Sequence, residues 1–265
     1  MTIKTTRTKK RKHHKAQMGI CITLITMSIT TLVLAVNPVW WQGRLGQHNA
    51  DRIAASSKIK HQQVKADYGL GDDIPSWSAM NKLQKVVRME TLRGYVSVPE
   101  LGIELPIYEG TSNVALASGA GTPKGVNDGF LKEADVMGKS NYALSAHNMA
   151  DYRTYFSPLQ RNISGTSLAG FKIYVTDGRK VYQYKQTLKH IIDNTDAASE
   201  WLRNTSKTDN SPIITLTTCF EQPPYYYHAT KRIIIRGDYV GEQALTGKLA
   251  KQLFEMMPPK QIESK

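Results

Sequence analysis

Cysteine is almost missing from this chain. Two residues among 265, Cys21 and Cys219, cannot build a disulfide framework. Cys21 lies inside an apolar run, so one thiol is left for the folded part, where it is either a small buried hydrophobe or a reactive group. Acidic residues are absent before position 17, where seven basic ones (Lys4, Arg7, Lys9, Lys10, Arg11, Lys12 and Lys15) carry more than half of the formal charge of +13. The rest of the chain is only modestly basic, at +6. No Lys/Arg run of that density recurs, and no aromatics are interleaved with one as a base-stacking groove requires, so nucleic-acid binding is not expected. Internal repeats, low-complexity tracts and a second long apolar run are also lacking, which leaves a single-pass, globular composition with 40% hydrophobic and 22% charged residues.

The one long apolar run is MGICITLITMSITTLVLAV, residues 18–36, with nineteen residues and no charge. A helix of that length spans most of a hydrocarbon core of roughly 30 Å. It exceeds a typical signal-peptide core, and NPVWW follows where a small-residue cleavage site would stand. Trp40 and Trp41 suit the far interface, and the basic leader is expected to stay cytoplasmic. Cys21, near the start of the run, is expected to be a passive apolar residue. Residues 18–36 therefore read as a transmembrane anchor in the cell membrane, with residues 37–265 extracellular.

Residues 37–90 are polar, with helical periodicity in NADRIAASSKIKHQQVKADYG and SWSAMNKLQKVVRME and a break between them. From Gly94 the texture turns to short alternating runs divided by Gly, Pro, Asn and Asp: YVSVPEL, ELPIYEG, NYALSAH, FKIYVTDG, KVYQYKQTLKHII, PIITLTTC and RIIIRGDYV. Asp-Gly in VTDGRKVYQY marks a hairpin. Seven or eight short strands with few helices predict an all-β-dominated domain, a closed or nearly closed barrel or sandwich. The long gap 193–211 contains DAASEWLRN, a short helix within a loop, and LAKQLFEMMPP (249–259) reads as a short amphipathic surface helix.

In PIITLTTC, alternation puts Ile213, Thr215, Thr217 and Cys219 on one face, with Cys219 at the strand end, where a side chain is both held and exposed. If RIIIRGDYV pairs antiparallel with that strand, Arg232 returns beside Cys219. A cation there favours thiolate and stabilises an oxyanion forming on a carbonyl substrate. Thiol chemistry also needs an acid–base partner for the leaving group. Three histidines lie in the folded part. His147 ends NYALSAH and projects from a rigid strand, His190 stands mid-strand, and His228 sits in the loop after Cys219. Spacing favours His147 and leaves the other two open. Arg236, on the same face as Arg232 by period-two counting, is the alternative cation.

TLTTC (215–219) resembles the TLxTC signature of sortases, the cysteine transpeptidases of Gram-positive bacteria. VPELGIELPIYEGTSNVALASGAGT resembles that family's opening strands, GKSNYALSAHNM its histidine segment, and RIIIRGDYV its arginine strand. The resemblance covers roughly residues 92–241 and is closest to class A. It implies an eight-stranded sortase-type β-barrel with short helices after an N-terminal transmembrane helix and helical stalk. It also implies His147, Cys219 and Arg232 as the catalytic set, with Thr217 and Thr218 at the substrate. The implied reaction is attack of Cys219 on the Thr–Gly carbonyl of an LPxTG-type sorting signal, with His147 protonating the departing amine. An amine of a peptidoglycan precursor of lipid II type then resolves the thioester, attaching surface proteins to the cell wall. Ala146 replaces the Gly that many members carry before the histidine. Some members bind calcium through acidic residues before the histidine strand. Here LKEADVMGK mixes Glu133 and Asp135 with Lys132 and Lys139, so no metal and no cofactor is expected.

The expected organisation is a basic leader (1–17), anchor (18–36), extracellular stalk or linker (37–91), catalytic domain (92–241) and C-terminal tail with a short helix (242–265). Two alternatives compete. DIPSW (73–77) faintly resembles the lid of pilin-polymerising sortases, although no C-terminal membrane helix accompanies it, and a non-catalytic wall-binding exodomain would use the residual +6 charge on anionic polymers. YYY (225–227) reads as loop packing beside the site.

Overall fold

The computed structural model describes residues 4–36, 38–56, 58–60, 66–69, 76–88, 91–123, 136–164, 168–201, 211–222 and 229–262. The chain divides into two compact units, residues 1–42 and 43–265. In the first, helix α1 (Lys4–Val36) contains His14–Leu32, which among the described residues is the one segment long and apolar enough to cross a membrane. Its apolar side chains, Ile20, Ile22, Leu24 and Ile29 among them, are exposed. The threonines that interrupt them are internally satisfied. Thr23, Thr26, Thr30 and Thr31 donate to the carbonyls of Gly19, Ile22, Thr26 and Met27 at 2.8–3.0 Å. A hydroxyl that back-bonds in this way places no unpaired donor in hydrocarbon. Helix α2 (Pro38–Ala55) includes Trp40 and Trp41, whose side chains lie outside the described set.

Eight strands close into a barrel. In chain order they are β1 (Leu92–Val98), β2 (Ile103–Glu109), β3 (Ala120–Thr122), β4 (Asn141–Ser145), β5 (Lys172–Thr176), β6 (Lys180–Asp193), β7 (Ile213–Cys219) and β8 (Lys231–Ala244). Round the barrel the order is β1-β2-β3-β4-β7-β8-β6-β5, with β5 pairing back on β1. The β2/β3 and β4/β7 pairs are parallel. All seven alternating runs became strands, and the Asp177–Gly178 hairpin joins β5 to β6 as expected, with Asp177 Oδ1 accepting from the backbone of Arg179 and Lys180 at 2.9 Å. The strand with no sequence signal is β3, three residues reading Ala-Gly-Thr. Its glycine is required by a close approach, since a Cβ at Gly121 would stand 2.2 Å from the Gly110 carbonyl oxygen.

Short helices complete the domain: α3 (Trp77–Gln84), α4 (Asn113–Ser118), α5 (Ser157–Ser164), α6 (Ala197–Trp201) and α7 (Gly247–Leu253). Period-two alternation sorts the strands' side chains. Ile214, Leu216, Ile233 and Ile235 join Val96, Ile107, Leu144 and Ile173 in the lumen, which is a packed apolar core and not a channel. Thr215, Thr217, Cys219, Arg232, Ile234 and Arg236 therefore face outward.

A second apolar cluster lies on the outer face of β1 and β2, where Tyr95 and Tyr108 pack with Ala54, Leu253, Phe254 and Met257. Residues 37–91, expected as a stalk, and 242–265, expected as a tail, both supply it with buried side chains. The helical pattern read through residue 69 stops at Ala55. The backbone beyond it finds partners on the barrel: Lys60 N donates to Leu92 O at 2.9 Å, and Asp67 O accepts from Thr111 and Ser112 at 3.1 Å. Helix α7, expected on the surface, is docked by Ala250 and Leu253 and followed by Phe254, which is fully buried.

Candidate active site

The parallel pair β4/β7 brings the histidine segment to the cysteine strand. Ser145 stands in register with Thr217, and the ladder runs one bond further, from Ala146 N to Thr217 O at 3.2 Å. Two residues along each chain from that pair lie His147 and Cys219, at the same end and on the same outer face. On the other side of β7, the antiparallel register pairs Cys219 with Arg232, Thr217 with Ile234 and Thr215 with Arg236. One further strand over, the β6 partners of Arg232 and Ile234 are Ile192 and His190. The histidine segment, the thiol and the guanidinium therefore lie toward the ends of three adjacent strands.

Hydrogen bonds from buried side chains hold that juncture. Asn148 Nδ2 donates to Cys219 O at 2.8 Å and to Gln160 Oε1. Gln160, from α5, accepts from Glu221 N at 2.8 Å through the same oxygen and donates to Glu221 O. Thr218 Oγ1 donates to Ala146 O at 2.8 Å. The backbone on both sides of the nucleophile is thus fastened to the backbone beside His147. Residues 147–157 also carry unusual conformations, with Tyr152 at φ 54° and Tyr155 at φ 52°. Non-glycine residues in that region are held there only by surrounding contacts. Tyr155 is held by its hydroxyl, which donates to Ala117 O at 2.7 Å, and by Trp77, stacked at 6.4 Å. Its ring meets His147 edge-on at 6.0 Å. Trp77 is the described end of DIPSW, whose residues 73–75 lie outside the described set.

His147 is 8% exposed and its Nε2 is buried without a hydrogen-bond partner. Burial lowers its pKa from 6.5 to about 4. Burial likewise pushes the Cys219 thiol up, against a downward pull from Arg232 and a further upward push from Glu221. At neutral pH both shifts favour the uncharged forms. Arg232 is partly buried and aims Nη1 at the carbonyls of Ala229, at 2.6 Å, and Lys231, at 3.0 Å.

Helix α6 covers the outer face beside these residues, where Ala197 and Trp201 pack on Ala143 and Ile192. Trp201 Nε1 donates to Thr217 Oγ1 at 2.9 Å, and Asn141 Nδ2 donates to the α6 carbonyls of Glu200 and Trp201 at 2.8 and 3.2 Å. Arg236 forms a buried ion pair with Glu200, and His190 Nε2 lies 3.8 Å from the same carboxylate. Arg236 and His190, the two alternatives in the sequence, thus serve the covering helix. Both threonine hydroxyls expected at the substrate are also engaged within the protein. His228 and YYY lie outside the described residues, as do Glu133 and Asp135. Sequence reasoning missed Asn148, Gln160 and Glu221. The first and last adjoin the expected site residues, but nothing in α5 marks Gln160.

A family model described as "Sortase domain" matches residues 96–240, more than half of the chain. The chain belongs to the sortase family. Sortases are cysteine transpeptidases of cell-wall anchoring, so this protein is an enzyme of that class. It is similar to sortase A of Listeria monocytogenes, 29% identical over 78% of this chain and 82% of that protein. It is also similar to sortase A of Bacillus anthracis, 26% identical over 84% of this chain and 95% of that protein. The solved structure of the Listeria monocytogenes sortase A aligns with a TM-score of 0.48 at 30% identity, over 62% of this sortase and 97% of that chain.

Proposed function

We propose that this sortase is membrane-tethered and class A-like, cleaving LPxTG-type signals between Thr and Gly. The new carboxyl end is joined to an amine of a lipid II-type peptidoglycan precursor. The observation that carries this reading is the register that sets Arg232 opposite Cys219 while the His147 segment is bonded to the same strand end. A proton moves from Cys219 to His147, and the thiolate attacks the threonine carbonyl. Arg232 holds the oxyanion or the substrate backbone in place. Imidazolium at His147 then protonates the leaving glycine amine, giving a thioacyl-enzyme that the acceptor amine resolves. Thr217 orders the groove wall through Trp201, and Thr218 sets the height of the His147 segment through Ala146 O.

Residues 1–17 stay in the cytoplasm and 18–36 cross the membrane. The domain at 92–241 and its flanking segments face the wall, where both substrates arrive. A fluorogenic LPxTG peptide tests the reading: cleavage by the wild type and none by Cys219→Ala is the expected result, and equal signal from the two overturns it.

A further inference from the structure

Two residues past the nucleophile, Glu221 is 3% exposed and both carboxylate oxygens are buried without a hydrogen-bond partner. Its backbone N–H and C=O are both gripped by Gln160, on the network that fastens Cys219 to Asn148, so its position relative to the thiol is set. It shares its electrostatic neighbourhood with Cys219 and Arg232, yet forms no ion pair with the guanidinium, whose Nη1 is directed at two backbone carbonyls. Burying a carboxylate with no donor is costly, and a native structure that keeps one has a use for it. That use is not activation of the thiol, since a negative charge there opposes thiolate formation. A cation arriving beside Cys219 would satisfy both oxygens and cancel that opposition. In transpeptidation one such cation reaches the site, because the acceptor amine is an ammonium ion in neutral water.

We infer that Glu221 is the acceptor subsite: its carboxylate receives the ammonium group of the second substrate beside the thioester and takes a proton from it. This rests on the transpeptidase reading proposed above. The freed amine lone pair attacks the thioester carbonyl, the C–N bond forms and the C–S bond breaks. Of the three ammonium protons, one passes to Glu221, one to the departing sulfur, and one stays on the new amide. No electrons are exchanged with any other group. Burial also raises the affinity of the Glu221 carboxylate for a proton, in the direction a base for an ammonium ion requires.

The test uses the full-length protein in detergent micelles, an LPxTG peptide, and triglycine or Nα-acetyl-lysine as acceptor. Transfer and hydrolysis products are separated by mass spectrometry. Losing a charged hydrogen-bonding partner is expected to raise the acceptor KM of Glu221→Gln about 10-fold or more, and to cut the transfer-to-hydrolysis ratio to match. The acceptor-free acylation burst is expected to quicken, because the charge opposing thiolate is gone. Should Glu221→Gln not fold, Glu221→Asp, which keeps the charge one methylene short, is expected to show the same split at smaller size. An unchanged acceptor KM and product ratio overturns the assignment, as does an equal slowing of acylation and transfer. Absence of any thioacyl adduct on wild-type Cys219 is a different failure, and removes the transpeptidase reading itself.

Discussion

Among the described residues, the barrel's outer face over β7 and β8 is covered by one helix of five residues, and over β1 and β2 by segments drawn from both sides of the barrel in the chain. Both faces bury titratable groups. At the β7/β8 face these are His147, Glu221 and the Arg236–Glu200 pair, beside the half-buried thiol of Cys219 and among polar side chains bonded to backbone. At the β1/β2 face they are Asp51 and Glu104 beside Tyr95, Tyr108 and Phe254. Glu104 accepts from Met256 N at 2.7 Å, and burial raises Asp51 to about 8 and Glu104 to about 7. The same desolvation acts on both sides: on one it favours the uncharged imidazole and thiol, and on the other the protonated carboxyls of Asp51 and Glu104.

The sharpest break of that contrast is Cys219→Ala, expected to abolish peptide cleavage while the far-UV spectrum and thermal midpoint stay at wild-type values. Arg232→Ala comes next. Removing one oxyanion-type donor costs on the order of 10²–10³-fold in kcat/KM, measured with the fluorogenic peptide. Arg236→Ala is expected to lose less rate and more stability, about 3–5 kcal/mol by urea unfolding, because it strands Glu200 under α6. If Arg236→Ala is the more damaging to rate, the assignment of Arg232 is wrong. On the opposite face, Phe254→Ala empties a fully buried site and is expected to cost about 3–5 kcal/mol while leaving activity per folded molecule near wild type.

Smaller effects sharpen the proton argument. A carboxylate whose folded pKa lies above its unfolded value adds stability that is complete below the unfolded value and fades as pH rises through the folded one. For Asp51 the window runs from 3.8 to about 8. Wild-type unfolding midpoints in urea should therefore fall across that range relative to those of Asp51→Asn, His147 acting in the opposite direction in both proteins. A wild-type midpoint that rises relative to Asp51→Asn there would contradict the burial of Asp51. Smallest of all, the His147 ring signals in an NMR titration should move near pH 4 and not near 6.5.

Much of this molecule was legible because alternation and composition are local. The uncharged run at 18–36, the seven alternating runs, the Asp-Gly hairpin and the pattern TLTTC followed by RIIIRGDYV need only neighbours in sequence to be read. Even the meeting of Cys219 with Arg232 follows from two adjacent strands and the loop between them. What β3 is, why Gly121 must be glycine, and where residues 44–56, 58–60 and 245–262 settle were decided by contacts between parts of the chain far apart in sequence. The parallel pairing of β4 with β7 brought the His147 segment to the end of the Cys219 strand across 72 residues. Gln160 reached Glu221 across 61. A carboxylate's burial, and with it the proton affinities on which the chemistry turns, exists only once those distant segments have excluded water.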